Sequence, residues 1–233
     1  MITFDEQQRV FHLKNKEISY LFSVEEGNIL SHLYFGPAIR NYHGERRYPR
    51  VDRGFSGNLP GSMDRTYSKD DLLQEYSGNN TGDYRVPAII IKTENGSRLT
   101  DFRYKSYKIL PGKPKLAGLP ASYVKSDKEA ETLEVILVDE TIGAQLILSY
   151  TIYNERPVIT RNARLVNTSN QELRIEKIAS MQLDLTKHDY DVISVPGQYA
   201  LERQPERQEL RRGITEFSSR RNSSSHHMNP FVA

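Results

Sequence analysis

Helical periodicity is almost absent from this chain, and that absence limits its folds more than any other feature. Short β-branched and aromatic runs recur instead, each closed by Gly, Pro, Asn, Asp or Ser. A chain patterned this way folds into many antiparallel strands. The clearest runs are Val10–Lys14, Ile18–Val24, Ile29–Phe35, Val86–Lys92, Phe102–Leu110, Leu133–Asp139, Ala144–Asn154, Val158–Asn167, Leu173–Leu185 and Tyr190–Val195. Leu146, Leu148, Tyr150 and Ile152 share one face of their strand while Gln145, Ser149 and Thr151 share the other, so that sheet buries one side. Asn154-Glu155-Arg156-Pro157 then joins it to a strand in which Ile159, Ala163 and Leu165 alternate with Thr160, Asn162 and Arg164. The pair reads as a long hairpin, with Pro157 at the start of its second strand, where a missing N–H does least harm. Asn28, Asn95-Gly96 and Ile142-Gly143 mark further turns.

At 233 residues and 37% hydrophobic content the chain can bury a large core, and the expectation is one domain over 1–233. Thirty-two basic residues against 30 acidic ones leave +2, too little for a surface built to neutralise phosphates, so nucleic acid is set aside as a partner. No cysteine is present, which removes disulfides, thiolate zinc sites and a cysteine nucleophile. The first twenty residues carry no basic start followed by an apolar stretch, and no apolar run reaches the roughly 20 residues of a membrane helix. The expectation is a cytoplasmic protein without membrane contact, metal or cofactor.

One region breaks the strand pattern. From Asn41 to Arg85 no strand is evident, and long strandless segments inside compact domains are usually functional or disordered. Tyr42, Tyr48, Phe55, Tyr67, Tyr76 and Tyr84 argue for order, since disordered segments are poor in aromatics. Only Ser68–Tyr76 could form a short helix, with Ser68 as its N-cap and Gly78 to end it. The tail from Glu202 differs again: six arginines interleave with four glutamates as a solvated, salt-bridged face. Phe231-Val232-Ala233 reads as the opening of an apolar strand, so the expectation is a domain interrupted at its C-terminal side.

Several ordered motifs now combine. Tyr48-Pro49-Arg50-Val51-Asp52-Arg53-Gly54-Phe55-Ser56 is followed by Asp64-Arg65-Thr66-Tyr67-Ser68, Gln74-Glu75-Tyr76 and Gly82-Asp83-Tyr84-Arg85-Val86-Pro87-Ala88. Tyr150-Thr151-Ile152, Pro157-Val158-Ile159-Thr160-Arg161, Glu202-Arg203 ahead of Gly213, and Ser224-Ser225-His226 with Asn229-Pro230-Phe231 come after in order. This series resembles the N-terminal domain of the family 36 glycoside hydrolases, the bacterial α-galactosidases. Asn222 stands where that family usually has Gly, and Ser77 follows Gln-Glu-Tyr where Pro is common.

The resemblance implies an all-β fold, a large antiparallel β-supersandwich ahead of a catalytic (β/α)8 barrel that lies outside this chain. It implies a retaining hydrolase of terminal α-galactosides such as melibiose and raffinose, tetrameric in the parent, whose two aspartates belong to the barrel. No carboxylate here can be assigned either catalytic role, which needs two such groups about 5–5.5 Å apart across the sugar ring. The loop region of one subunit is implied to reach a neighbour's active-site mouth, and that role falls on Asp52, Phe55, Arg65 and Tyr76 as substrate-binding residues. A carboxylate accepts from sugar hydroxyls, an arginine fork donates to them, and an aromatic face packs on the ring's C–H surface. Asp52 and Arg65 could equally pair with each other to hold the loop.

Lesser candidates carry simpler readings. Asp83 before a strand closes a turn through backbone contacts. His226-His227 on a strand would point opposite ways and makes a poor metal site, and His188 beside Asp189 lacks a nucleophile. Two other function classes stay open from the residues alone: a free-standing carbohydrate-binding β-sandwich, weakened by the lack of tryptophan, and a purely structural oligomerisation domain.

Overall fold

The computed structural model describes residues 1–44, 48, 50–52, 54, 57–59, 61–80, 82–118, 121–185, 189–221 and 226–233. The chain divides into two compact units, Met1–Asp184 and Leu185–Ala233.

In the first unit, β1 (Ile2–Asp5), β2 (Val10–Lys14), β3 (Ile18–Val24) and β4 (Leu30–Pro37) form an antiparallel sheet in sequence order. A second four-stranded antiparallel sheet holds β6 (Arg103–Pro111), β7 (Ala130–Asp139), β8 (Ala144–Tyr153) and β9 (Ile159–Asn167). The two sheets share one hydrophobic core. Phe11, Leu13, Phe22 and Val24 from the first meet Leu133, Val135, Leu148, Tyr150 and Ile152 from the second. The ring of Phe22 lies 4.9 Å from Phe11 on one side and 4.9 Å from Tyr150 on the other, so an aromatic stack joins the layers. Burying each such side chain is worth roughly 1.5–3 kcal/mol, which is what holds sheets whose strands are far apart in sequence. Between them β5 (Ile89–Thr93) pairs with β10 (Leu173–Ile178), and Ile89 and Ile91 close the same core.

The all-β architecture expected from the sequence is present. Registers in the second sheet follow the period-2 reading: Leu133↔Tyr150, Val135↔Leu148 and Leu137↔Leu146 point inward, while Thr132↔Thr151 and Glu134↔Ser149 lie on the opposite face. Gly143, at φ +62°, turns the β7–β8 hairpin where an added Cβ would come within 2.7 Å of the Ser169 side chain, so the turn requires glycine in both conformation and space.

Three differences have local causes. The run Val86–Lys92 becomes strand only at Ile89, because Ala88 first bonds to the Ser77 carbonyl. Leu173–Leu185 stops as a strand at Ile178, since residues beyond it turn to hold the long loop through Ala179, Gln182 and Asp184. The amino-terminal strand β1 is additional to the expected runs; it is only four residues long and only partly buried, too short for its alternation to stand out.

The second unit is a small sheet with β11 (Asp191–Pro196) between β12 (Glu206–Glu209) and β13 (Met228–Val232). The strand expected around Phe231 is there. β12 is wholly exposed, in keeping with the solvated arginine–glutamate face read from its sequence.

Candidate functional site

The described residues of the Asn41–Arg85 segment carry almost no regular structure. They contain one 3-10 turn, Lys69–Asp71, and isolated bridges from Gln74 to Ser31 and from Gly78 to Ile89. The helix expected over Ser68–Tyr76 is therefore only that turn. Ser68 does cap it, accepting from the Asp70 N–H, but Leu72 is already extended because its side chain is drawn into a small core of its own. That core joins Ile29, Leu59, Tyr67 and Leu72, with Tyr48 packed against it. Tyr67 donates its hydroxyl to the Glu26 carbonyl at 3.0 Å, and the Arg50 guanidinium lies 4.5 Å from the centre of its ring. Arg50 also pairs with Glu26 at 2.9 Å and Asp64 at 3.0 Å, tying the outer part of the segment to the β3–β4 turn. Burial pushes the Tyr67 hydroxyl up, which keeps it neutral and donating.

The inner root is anchored by a buried charge cluster. Glu75 has no exposed side-chain surface. It accepts from Tyr20 at 2.8 and 2.9 Å, from Tyr150 at 2.9 Å and from Arg161 at 3.1 Å. His32 Nδ1 stands 2.8 Å from Oε1, so that nitrogen carries the proton and donates. Arg161 further donates to the Glu75 carbonyl at 3.1 Å and to the Gln182 carbonyl. Burial pushes the Glu75 carboxyl up, but Arg161 and the donors around it outweigh burial and hold it below its ordinary value. Burial and the adjacent carboxylate push the Tyr20 and Tyr150 hydroxyls well up.

A second network lies beside it. Gln74 donates to Asp83 at 2.6 Å and, through its backbone, to Asp184 at 2.8 Å. Arg85 donates to Asp83 at 2.7 Å, to the Lys69 carbonyl at 2.9 Å and to Asp184. Asp83 thus closes its turn, accepting from the Arg85 N–H at 3.3 Å, and also holds the loop. Lys69, buried against Asp101 at 3.1 Å, is pushed down by burial.

The four substrate residues expected from the sequence divide. Asp52 and Arg65 come together at 3.1 Å, and both stay open to solvent, at 59% and 56% exposure. Phe55 lies outside the described residues. Tyr76 is committed inward: its ring packs on the main core and its hydroxyl donates to the Ala179 carbonyl at 2.6 Å, with burial pushing it up to about 12. The histidines need one correction. His226 and His227 sit in a turn, not on a strand, and their rings lie 4.2 Å apart instead of pointing opposite ways. Among the described residues no group of acidic, His or Cys side chains could hold a metal. His188 lies outside the described residues.

Glu75 and Arg161 stand within the sequence motifs, where neither has an evident role. The signal for Arg161 was present: it falls in register with Ile159, Ala163 and Leu165, a charge on the apolar face of β9. A charge there must find a partner.

The glycosyl hydrolase family 36 N-terminal domain matches residues 28–233 of the chain. This chain belongs to that family. Alpha-galactosidase 1 of Pediococcus pentosaceus is 51% identical over 233 residues, covering 100% of this chain and 32% of that protein. The crystal structure of the α-galactosidase AgaB of Geobacillus stearothermophilus superposes with a TM-score of 0.93 at 43% identity, over 100% of this chain and 31% of that one. A variant of AgaA from the same organism, solved with raffinose, matches at a TM-score of 0.91 and 45% identity, over 96% of this chain and 31% of that one. The family 36 domain thus spans about a third of the length of the relatives it matches. No helix among the described residues is long and apolar enough to cross a membrane.

Proposed function

We propose that this family 36 domain is part of an α-galactosidase that hydrolyses terminal α-galactosides of the raffinose and melibiose kind. Its own contribution is a rigid loop that shapes a sugar site, not the catalytic carboxylates. The observation that carries this reading is the Asp52–Arg65 pair, the exposed end of a loop that is otherwise fastened by a private core and two buried networks. Order at a solvent-facing tip costs conformational entropy, and a recognition surface is a reason to bear that cost. The matched relatives are α-galactosidases, and one neighbour was solved with raffinose, which supports that substrate class.

In this reading Asp52 accepts from sugar hydroxyls, Arg65 donates to them, and Phe55 offers a face for the ring. Tyr76 roots the loop. Presentation of the tip to another subunit of a homo-oligomer in the cytoplasm completes the proposal. The chain alone is expected to hydrolyse no melibiose.

The test is Asp52→Ala in the full-length enzyme with raffinose as substrate. A raised KM with kcat nearly unchanged supports a substrate-binding role. Unaltered kinetics with changed assembly in light scattering would make the tip an interface and overturn the sugar role. Melibiose hydrolysis by the 233-residue chain would overturn the placing of the catalytic carboxylates elsewhere.

A further inference from the structure

The outer face of the β6–β9 sheet carries a feature that the loop does not use. Cross-strand registers place Thr132, Thr151 and Thr160 side by side in one row, and Lys108, Glu134, Ser149 and Asn162 in the next. Arg164 follows one row further, opposite Ile147. The segment after β6, with Lys113 and Lys115, lines the other side, and the two sides enclose a groove of about 640 Å³. That lies within the range of small-molecule pockets and is far larger than a single small anion fills.

The groups in the groove are unevenly partnered. Thr132 and Thr151 bond to each other at 2.8 Å, and Lys108 neutralises Glu134 at 3.0 Å. Arg161 is spent on Glu75 beneath the sheet. By contrast the side chains of Ser149, Thr160 and Asn162 on the floor, and of Lys113, Lys115 and Arg164 around it, make no hydrogen bond or ion pair among the described residues. Three uncompensated cations over a floor of hydroxyl and amide groups suit an anion that also carries hydroxyls.

We propose that this groove binds a sugar phosphate, with Arg164, Lys113 and Lys115 on the phosphate and Ser149, Thr160 and Asn162 on the sugar hydroxyls. The site lies on the sheet, apart from the long loop, and does not depend on the substrate reading of Asp52 and Arg65.

Calorimetric titration of the full-length protein with glucose 6-phosphate tests it, with galactose and inorganic phosphate run in parallel. The expected result is saturable binding that weakens as salt is raised and falls at least about tenfold in Lys113→Ala/Arg164→Ala, a loss set by charged hydrogen bonds. Ser149→Ala/Asn162→Ala is expected to weaken glucose 6-phosphate while leaving inorganic phosphate unchanged, and both double variants keep raffinose hydrolysis. Absence of saturation, binding that survives both double variants, equal binding of galactose, or equal binding of inorganic phosphate would each overturn the proposal. So would failure of a thiol reagent to label Asn162→Cys in the folded full-length protein, with the unsubstituted protein as baseline. That result would mean another segment or subunit covers the groove.

Discussion

Glu75 and Asp52 are both carboxylates of the Asn41–Arg85 loop, each paired with an arginine at 3.1 Å, yet Glu75 has no exposed side-chain surface and Asp52 keeps 59%. Glu75 accepts from two tyrosines, a histidine and an arginine that come from β3, β4, β8 and β9. Asp52 meets Arg65 from its own loop, in water. A buried ion pair is strongly attractive only because its desolvation is already borne by a full set of hydrogen bonds, whereas a surface pair contributes little. The same chemistry therefore fixes the loop at its root and leaves groups available at its tip.

The largest effect is expected at the root. Glu75→Ala leaves Arg161 charged and buried without its carboxylate, which costs about 3–5 kcal/mol. Urea unfolding of the chain should show it as a lower midpoint; a loss below about 1 kcal/mol would mean the cluster is not the anchor. Arg161→Met alone should be comparably harmful, and combining it with Glu75→Leu should recover much of the loss, since no unpaired charge then remains.

The acid limb of stability sharpens the comparison. Glu75 is held below its ordinary value in the folded state, against about 4.3 when unfolded. Between the two values the unfolded chain binds more protons, so stability rises with pH. The contribution is complete above the unfolded value and is lost as pH falls through the folded one. Unfolding midpoints measured from pH 6 down to pH 3 should fall steeply in the parent sequence and less in Glu75→Gln. Parallel curves would mean other carboxylates set the acid limit.

Tyr76→Phe removes one donor to the Ala179 carbonyl and keeps the ring in the core. Its expected cost is about 1 kcal/mol, read in the same urea transitions. A neutral result would mean water replaces the hydroxyl and the root rests on Glu75 and Gln74 alone.

What the residues disclosed in advance follows the range of each interaction. Strand alternation is local, so the faces of β8 and β9 were legible from Leu146 to Leu165, as was the Ser68 cap, whose partner lies two residues away. The tyrosines of the long loop pointed to packing within it, and Tyr67 does pack on Ile29, Leu59 and Leu72. The role of Glu75 was hidden because its partners lie 43, 55, 75 and 86 residues away. No window holds them all; only the packing of two sheets on one core assembles them. The anchoring of Tyr76 was hidden for a related reason: the Ala179 carbonyl that its hydroxyl reaches at 2.6 Å lies 103 residues away. At the tip, both the sugar role and mutual pairing were foreseen for Asp52 and Arg65, and the pairing is present.

The tip is where the smallest change in stability and the clearest change in function should coincide. Because Asp52 is mostly hydrated and paired only with an equally exposed arginine, Asp52→Ala should move the unfolding midpoint by no more than about 0.5 kcal/mol. Raised salt should shrink even that, since exposed pairs are screened. The Arg65 fork then loses its orienting partner, so Asp52→Asn, which keeps an acceptor, should raise the KM for raffinose less than Asp52→Ala does. Were Asp52→Ala instead to destabilise as strongly as Glu75→Ala, the tip would belong to the same structural frame as the root. The contrast between an anchored base and an available end would then fail.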